Sequence, residues 1–122
     1  TQLPVPELNH LKKHQALYDL GFDNFCDLVL LGWAQEKNIK SYLPPERAID
    51  WLRMINEAST WQKPTFPIKG SDARKLGLKQ GPAVGKAMKK VEIWWRDGDF
   101  QANKRQCIKH LEQVIDRQDL TN

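Results

Sequence analysis

Apolar side chains recur every three or four residues through most of this 122-residue chain, and no segment alternates apolar and polar residues for long enough to form a β-strand. Prolines and glycines separate the periodic segments, as they do between helices. The longest apolar run, from Leu28 to Ala34, is far shorter than the roughly 20 residues of a membrane-spanning helix. The pattern predicts an all-α fold, a compact bundle of about five to six helices in one domain over residues 1–122, with no membrane span.

Turn and capping residues set the bounds of these helices. Gly21 has the position of a residue that follows a helix, and Asp23 or Asn24 can cap the next one. Pro45 and Pro82 fit the first turn of a helix, where the missing N–H is tolerated. The predicted helices span about residues 7–20, 24–37, 45–61, 71–76, 82–97 and 102–118, with Ser71 and Asp72 as the cap of the fourth.

The core is predicted from the same periodicity. The second helix is apolar on most sides, so we expect it to be the buried central helix. Between residues 63 and 70 we expect an extended connection that packs through Phe66 and Ile68. Other predicted core residues are Ile49, Leu52, Ile55 and Ala58 of the third helix, the tryptophans Trp33, Trp51 and Trp95, and two reduced cysteines, Cys26 and Cys107.

Positive charge is concentrated in one segment. The whole chain has a net charge of +4, whereas residues 69–90 contain seven lysines and arginines and a single acid, Asp72, for a net charge of +6. Such a concentration suits a polyanionic partner, although an ordinary solvated surface has the same composition.

The fifth helix separates this charge from the core. At roughly 100° per residue, Val84, Met88, Val91 and Trp95 share a narrow arc that we expect to be buried, with Ala87 and Trp94 beside it. Three lysines project to the opposite side: Lys86, Lys89 and Lys90. The helix begins after Gly81 and contains Gly85, so its unpaired N–H groups could bind phosphate where no side chain obstructs the approach. The run from Leu76 through Gly85 also resembles a helix-hairpin-helix, a module that grips nucleic-acid backbones without reading base sequence.

Two arrangements resemble metal or catalytic sites and are interpreted otherwise. Asp97 and Asp99 have the spacing of a metal-binding pair, but they follow a helix and flank Gly98, as turn residues do. His10 and His14 have the spacing of a zinc pair on a helix but lack the intervening glutamate and a third ligand. His110 lies on a solvent-biased helix side with no partnered nucleophile. We therefore predict no catalytic residue and no metal ligand in this chain.

Several segments resemble the C-terminal region of bacterial CCA-adding tRNA nucleotidyltransferases, of the alphaproteobacterial type within the poly(A) polymerase family. They are WQKPTFPIKGSD at residues 61–72, LGLKQGPAVG at 76–85, EIWWR at 92–96, and Asp99-Phe100. Upstream, LYDLG at residues 17–21 and the run 28–34 resemble the body region of the same enzymes.

The resemblance implies a division of labour within a longer cytoplasmic enzyme. In that family a head binds the catalytic metal, a neck selects CTP or ATP, and helical body and tail regions hold the tRNA acceptor and elbow. This chain resembles body and tail alone, and its first residues, Thr1-Gln2-Leu3-Pro4, begin without an initiator Met, as an excised piece would. Magnesium, CTP and ATP are therefore expected in the absent head, with no cofactor in this chain.

The predicted partner is tRNA. The residues predicted to contact its backbone are Lys69, Arg74, Lys75, Lys79, Gln80, Gly81, Gly85, Lys86, Lys89 and Lys90. Two alternatives stay open: a separate helix-hairpin-helix module that binds duplex DNA, and an interaction domain whose lysines meet an acidic protein.

Overall fold

The computed structural model describes residues 3–117, which form six α-helices and no β-strand. The predicted all-α fold is therefore confirmed, as is the number of helices. In chain order the helices are α1 (His10–Leu20), α2 (Phe22–Ile39), α3 (Pro45–Thr60), α4 (Gly70–Lys75), α5 (Pro82–Asp97) and α6 (Lys104–Asp116). None of these helices, within the part of the chain that is described, has both the length and the apolarity needed to cross a bilayer.

The chain divides into two compact units, Thr1–Lys63 and Pro64–Asn122. In the first unit α2 contacts both α1 and α3, and in the second unit α5 contacts both α4 and α6. Each unit has buried apolar residues of its own. A single domain over residues 1–122 stays a prediction.

The core of the first unit forms where α2 meets α3. Gly32 of α2 permits this approach, because a Cβ atom there would lie 3.3 Å from Cη2 of Trp51 and 3.2 Å from the carbonyl oxygen of Pro4. The indole of Trp51 is fully buried, as predicted. The buried cluster around it consists of Leu17, Phe25, Val29, Trp51, Met54 and Ala58.

The core of the second unit is built around Trp95 of α5. Its ring meets Phe66 at a centroid distance of 5.1 Å and Phe100, edge to face, at 5.0 Å. Phe100 reaches this position because Asp99 and Phe100 both adopt left-handed backbone angles just after α5. The Phe100 N–H then donates to the carbonyl oxygen of Trp95 over 2.9 Å. The remaining buried apolar residues of this unit are Ile68, Ala73, Ala87, Val91, Cys107, Leu111 and Val114.

Two predicted helix starts are wrong because local hydrogen bonds place them elsewhere. The first helix begins at His10 rather than near residue 7, since Leu8 closes a turn onto Val5 and the Asn9 side chain accepts from the Lys12 N–H over 2.8 Å. The second helix begins at Phe22, with no cap from Asp23 or Asn24. Gly21, at φ +81°, accepts the first hydrogen bond of α2 on its carbonyl and donates the last of α1 to Leu17.

The predicted burial of α2 and α3 is also partly wrong. Leu30 and Leu31 of α2 are 52% and 50% exposed, so α2 buries one stripe rather than most of its circumference. Trp33 is half-buried against the core cluster. In α3 the buried stripe runs through Trp51, Met54 and Ala58, while Ile49 and Leu52 are exposed. The hydrophobic pattern predicted where the helices form, but not which of their faces are buried against another helix.

The remaining bounds agree within a few residues. The fifth helix has the predicted bounds. The fourth begins at Gly70, after Lys69, so Ser71 lies inside α4 and is not its cap. The sixth helix begins at Lys104 because Asn103 caps it, its side chain accepting from the Gln106 N–H over 2.9 Å. Its predicted end at Gln118 lies outside the described residues. Cys107 is buried, as predicted, whereas Cys26 is only half-buried.

Candidate nucleic-acid interface

A short hairpin joins α4 to α5 in the second unit. Its glycines Gly77 and Gly81 adopt φ values of +105° and +144°, which L side chains rarely tolerate. The N–H of Gly77 donates to the Arg74 carbonyl and that of Leu78 to the Ala73 carbonyl, so the end of α4 is capped by the hairpin itself. The order helix, hairpin, helix is the one that the sequence predicted.

The N-terminal ends of α4 and α5 lie close together. A Cβ atom on Gly70, the first residue of α4, would lie 3.5 Å from Cγ1 of Val84 in the first turn of α5. The sequence-predicted residues therefore belong to three adjoining groups: Lys69 just before α4 with Arg74 and Lys75 on it, Lys79, Gln80 and Gly81 in the hairpin, and Gly85, Lys86, Lys89 and Lys90 on α5.

All ten of these residues are exposed. The exposure of the α5 lysines follows from helical phase, because Ala87, Val91 and Trp95 occupy the opposite, fully buried face. Val84 and Met88, predicted on that buried face, are half-buried. We refer to the exposed basic residues on α4, the hairpin and α5 as the cationic surface; they are Lys69, Arg74, Lys75, Lys79, Lys86, Lys89 and Lys90.

The one acid of this segment does not share that surface. Asp72 is only 9% exposed, and its Oδ2 accepts a hydrogen bond from the Lys69 N–H over 2.8 Å. The carboxylate thus stabilises the first turn of α4, where its negative charge also interacts favourably with the positive end of the helix dipole. Between residues 69 and 90 every positive charge is exposed and the one negative charge is turned inward. The sequence predicted Asp72, together with Ser71, at the start of this helix, but it did not indicate that the carboxylate is buried away from the cations.

Gly85 lies inside α5 although nothing in the fold requires a glycine there. A Cβ atom at this position would meet no atom within 4 Å, and the residue has ordinary helical backbone angles. Glycine inside a helix is less stable than alanine by about 0.5–1 kcal/mol. The second turn of α5 therefore presents bare backbone beside Lys86 and Lys89.

A pair of stacked rings was missed by sequence reasoning. Trp94 of α5 and His110 of α6 lie parallel, with centroids 4.2 Å apart and an interplanar angle of 6°. The prediction that His110 lies on a solvent-biased side is wrong, because Trp94 covers its ring and half-buries it. This burial, together with the positive charge of Arg117, lowers the pKa of His110. The prediction of Trp94 at the edge of the buried arc could have indicated such a partner on α6.

The candidate metal pairs have other structural roles. Asp97 ends α5, Gly98 follows it as the cap, and Asp99 starts the connection to α6, as predicted. His14 stacks on Trp61 with centroids 5.2 Å apart, and its ring centroid lies 6.2 Å from that of His10. Within residues 3–117 no three His, Cys, Asp or Glu side chains come together in a group that could hold a metal ion.

Comparisons with known proteins give partial matches. No family model matches the chain, and no solved structure matches it. An uncharacterized 28 kDa protein from the petA 5′ region of Rhodospirillum rubrum is 40% identical over 84 residues, which are 69% of this chain and 32% of that protein.

Mitochondrial CCA tRNA nucleotidyltransferases also match. The Danio rerio enzyme is 30% identical and the Homo sapiens enzyme 25% identical over 61 residues, which are 50% of this chain and 14% of either enzyme. The chain therefore spans less than a third of the length of the curated relatives that it matches. Across 50% of its own length the chain is similar to CCA tRNA nucleotidyltransferases, as the motifs predicted. The bacterial subtype stays a prediction.

Proposed function

We propose that this chain is a tRNA-binding body and tail region of a CCA-adding nucleotidyltransferase of the bacterial, alphaproteobacterial type. It holds the backbone of the tRNA acceptor and elbow on the cationic surface. Nucleotidyl transfer belongs to a head outside this chain, and magnesium, CTP and ATP bind there. The residues of this chain bind and orient the tRNA and take no part in the chemical step.

The observation that carries the proposal is the charge separation at α4. Seven exposed cations lie on consecutive, adjoining elements, and the one carboxylate among them is used inside the fold. A basic surface of this kind meets phosphates and releases their counterions, which supplies most of the affinity of nonspecific nucleic-acid binding. No side chain in the set dictates base identity, so tRNA is held by charge and shape.

Gly85 supports the same surface independently. A glycine that lowers helix stability without a packing role fits a position where another molecule's backbone comes close. Phosphate oxygens could come close to α5 there and meet the neighbouring lysine side chains, because Gly85 has no side chain to obstruct them.

A helix-hairpin-helix that binds duplex DNA is the second candidate. It is favoured by the positive φ angles of Gly77 and Gly81 in the hairpin between α4 and α5. Both candidates use the cationic surface, and they differ in the shape of the nucleic acid that they accept. An A-form RNA helix presents a wide, shallow minor groove with 2′-hydroxyls, which B-form DNA lacks.

The test is a binding titration of the purified chain against labelled tRNA and a DNA duplex of equal charge, by fluorescence anisotropy at several salt concentrations. We expect tRNA to bind more tightly than the duplex at physiological salt. Replacing Lys86, Lys89 and Lys90 by Ala should weaken tRNA binding and reduce the slope of log affinity against log salt by roughly two, at about 0.7–0.9 for each phosphate that is no longer neutralised. The fold should persist, because all three side chains are exposed.

A charge-matched control separates local contacts from total charge. Lys12, Lys37 and Lys40 are exposed lysines of the first unit, and their replacement by Ala removes the same three charges. We expect this variant to keep the salt slope of the unchanged protein. Equal affinity for tRNA and duplex DNA would favour the DNA-binding candidate, and equal slopes for the two triple variants would show that the nucleic acid binds elsewhere. Binding to neither would leave the acidic-protein alternative.

A further inference from the structure

A groove between α5 and α6 has the size and lining of a site for a planar ligand. Its volume is about 680 Å³, within the range of small-molecule sites. The stacked rings of Trp94 and His110 line it together with the polar side chains of Asp97, Gln106, Lys109 and Gln113. We call this space the aromatic groove.

The aromatic groove presents ring surface that the fold leaves uncovered. Trp94 is 38% exposed, the most accessible tryptophan among those the structure describes. The fold could have buried it as it buries Trp95, one residue along the same helix. Instead the indole lies flat against His110 and keeps part of its surface open. Burial of the ring lowers the pKa of His110, which favours the uncharged imidazole beside Trp94.

The polar lining of the groove suits the edge of a base. Gln106 already uses its Oε1 to accept from the Asn103 N–H, so its Nε2 amide is the group available to donate. The Asp97 carboxylate can accept from an exocyclic amino group, and Gln113 can donate and accept. Donors and acceptors around an aromatic platform are the features with which proteins bind unstacked bases.

The charge beside the aromatic groove suits the phosphate of the same nucleotide. Lys109 lines both this groove and a second hollow on α6, which Lys104 and Arg105 also line. Three exposed cations thus extend from the rim along α6, opposed there by Glu112. An uncharged aromatic ligand or an apolar peptide would not interact with these cations. A nucleotide can stack its base on the rings and place its phosphate beside the cations.

We infer that the aromatic groove binds one unstacked nucleobase of an RNA, stacked on the Trp94–His110 pair, with its phosphate beside Lys109. The inference rests on the proposed function for the identity of the partner as RNA. It adds a second kind of contact, because the cationic surface holds paired backbone whereas the aromatic groove takes a base only where the RNA is unpaired.

The test compares a short single-stranded RNA with a blunt RNA duplex of equal charge, both labelled, on the full chain. Replacing Trp94 by Ala should weaken single-strand binding by about 5- to 150-fold, the usual worth of one base–aromatic stack. Duplex binding should stay within about twofold. Trp94→Phe should retain most of the single-strand affinity, and Tyr42→Ala, which removes an exposed aromatic ring from the first unit, should change neither probe.

A second measurement follows the groove itself. On titration with the single strand, the Trp94 indole and His110 ring signals in NMR spectra should shift through the ring current of a stacked base, and Trp94→Phe should keep the His110 shift. Unchanged single-strand affinity in a folded Trp94→Ala protein would overturn the inference while leaving the proposed function intact. Failure of all RNA probes to bind would overturn both. If the Lys86, Lys89 and Lys90 variant loses duplex binding while Trp94→Ala keeps it and loses single-strand binding, the inference about the aromatic groove stands.

Discussion

Arg47 of α3 and Glu36 of α2 form a two-pronged ion pair, with Nε to Oε1 at 2.7 Å and Nη2 to Oε2 at 2.8 Å. Their side chains are only 16% and 13% exposed. Arg47 also donates to both carboxylate oxygens of Glu7, and the Trp51 indole N–H donates to Glu36 over 3.1 Å. The network connects the N-terminal segment to α2 and α3 of the first unit. Two parallel hydrogen bonds between a guanidinium and a carboxylate fix the relative orientation of the two groups as well as adding to their attraction.

Replacing Arg47 by Ala should therefore destabilise the first unit. The change leaves the largely buried Glu36 carboxylate without its main partner, and removal of one member of a buried ion pair costs about 3 kcal/mol or more. Arg53→Ala is the matched control, because Arg53 is exposed and reaches only Asp50, at 3.8 Å; its loss should change the free energy of unfolding by less than about 1 kcal/mol. Urea unfolding of both variants measures the difference, and similar losses would show that the network contributes little.

Acid should weaken the same network. The hydrogen bond from Arg47, and after it that from Trp51, lowers the pKa of Glu36 from 4.5 to about 2. Because the unfolded carboxyl binds its proton first as pH falls, the stabilisation by this group is complete above pH 4.5 and is lost as pH falls towards 2. Arg47 also lowers the pKa of Glu7, so that group acts in the same direction.

The measurement is the urea midpoint at pH 6, 5, 4 and 3 for the unchanged protein and for Glu36→Gln. The variant should be less stable at pH 6 and should lose less stability on acidification, since it has no proton to take up at this position. Parallel pH curves for the two proteins would contradict the assignment of this acid sensitivity to Glu36.

Adjacent tryptophans of α5 should differ sharply in their contribution to stability. Trp95 is fully buried against Phe66 and Phe100, so Trp95→Ala should cost about 3–5 kcal/mol as a core truncation. Trp94→Ala should cost about 0.5–1.5 kcal/mol, the worth of one aromatic pair, because the ring is partly exposed and stacks on His110 alone among the described aromatic rings. Equal shifts of the urea midpoint would mean that the helix presents a different face to its core.

Local signals were sufficient to predict much of the second unit. Pro82 after Gly81 fixes the start of α5, and the period of 3.6 residues then separates Val91 and Trp95 from the exposed lysines. The cationic surface could be predicted for the same reason, since its lysines follow from helical phase alone. The role of Asp72 at the start of α4 was predicted for a similar reason, because acids favour the first turn of a helix, although the residue before the helix is Lys69.

Long-range contacts explain what the sequence did not reveal. Arg47 meets partners 11 and 40 residues away in the chain, and no periodicity indicates such a pairing. The stacking of Trp94 on His110 likewise depends on how α6 packs against α5. The exposure of Leu30 shows the converse, since an apolar residue in an apolar helix is buried only where another element covers it.

Gly85 allows stability and RNA binding to be separated by a single methyl group. Because a Cβ atom there meets nothing within 4 Å and the backbone is helical, Gly85→Ala should raise the free energy of unfolding by about 0.5–1 kcal/mol. The same methyl group would lie where the proposed function brings a phosphate to the backbone, so tRNA affinity should fall although the protein is more stable. The two effects are measured by urea unfolding and by anisotropy on the same preparation.

Gly81→Ala is the matched control for this prediction, because the added methyl group is equally unobstructed but the backbone is at φ +144°. Because Gly81 also has a ψ of −165°, a combination that essentially only glycine adopts, that variant should be less stable by about 1–3 kcal/mol. A loss of tRNA affinity in Gly81→Ala could follow from distortion of the hairpin, whereas a loss in the stabilised Gly85→Ala could not. If Gly85→Ala is more stable and binds tRNA as well as the unchanged protein, no phosphate approaches the second turn of α5, and the backbone contact in the proposed function is wrong at that position.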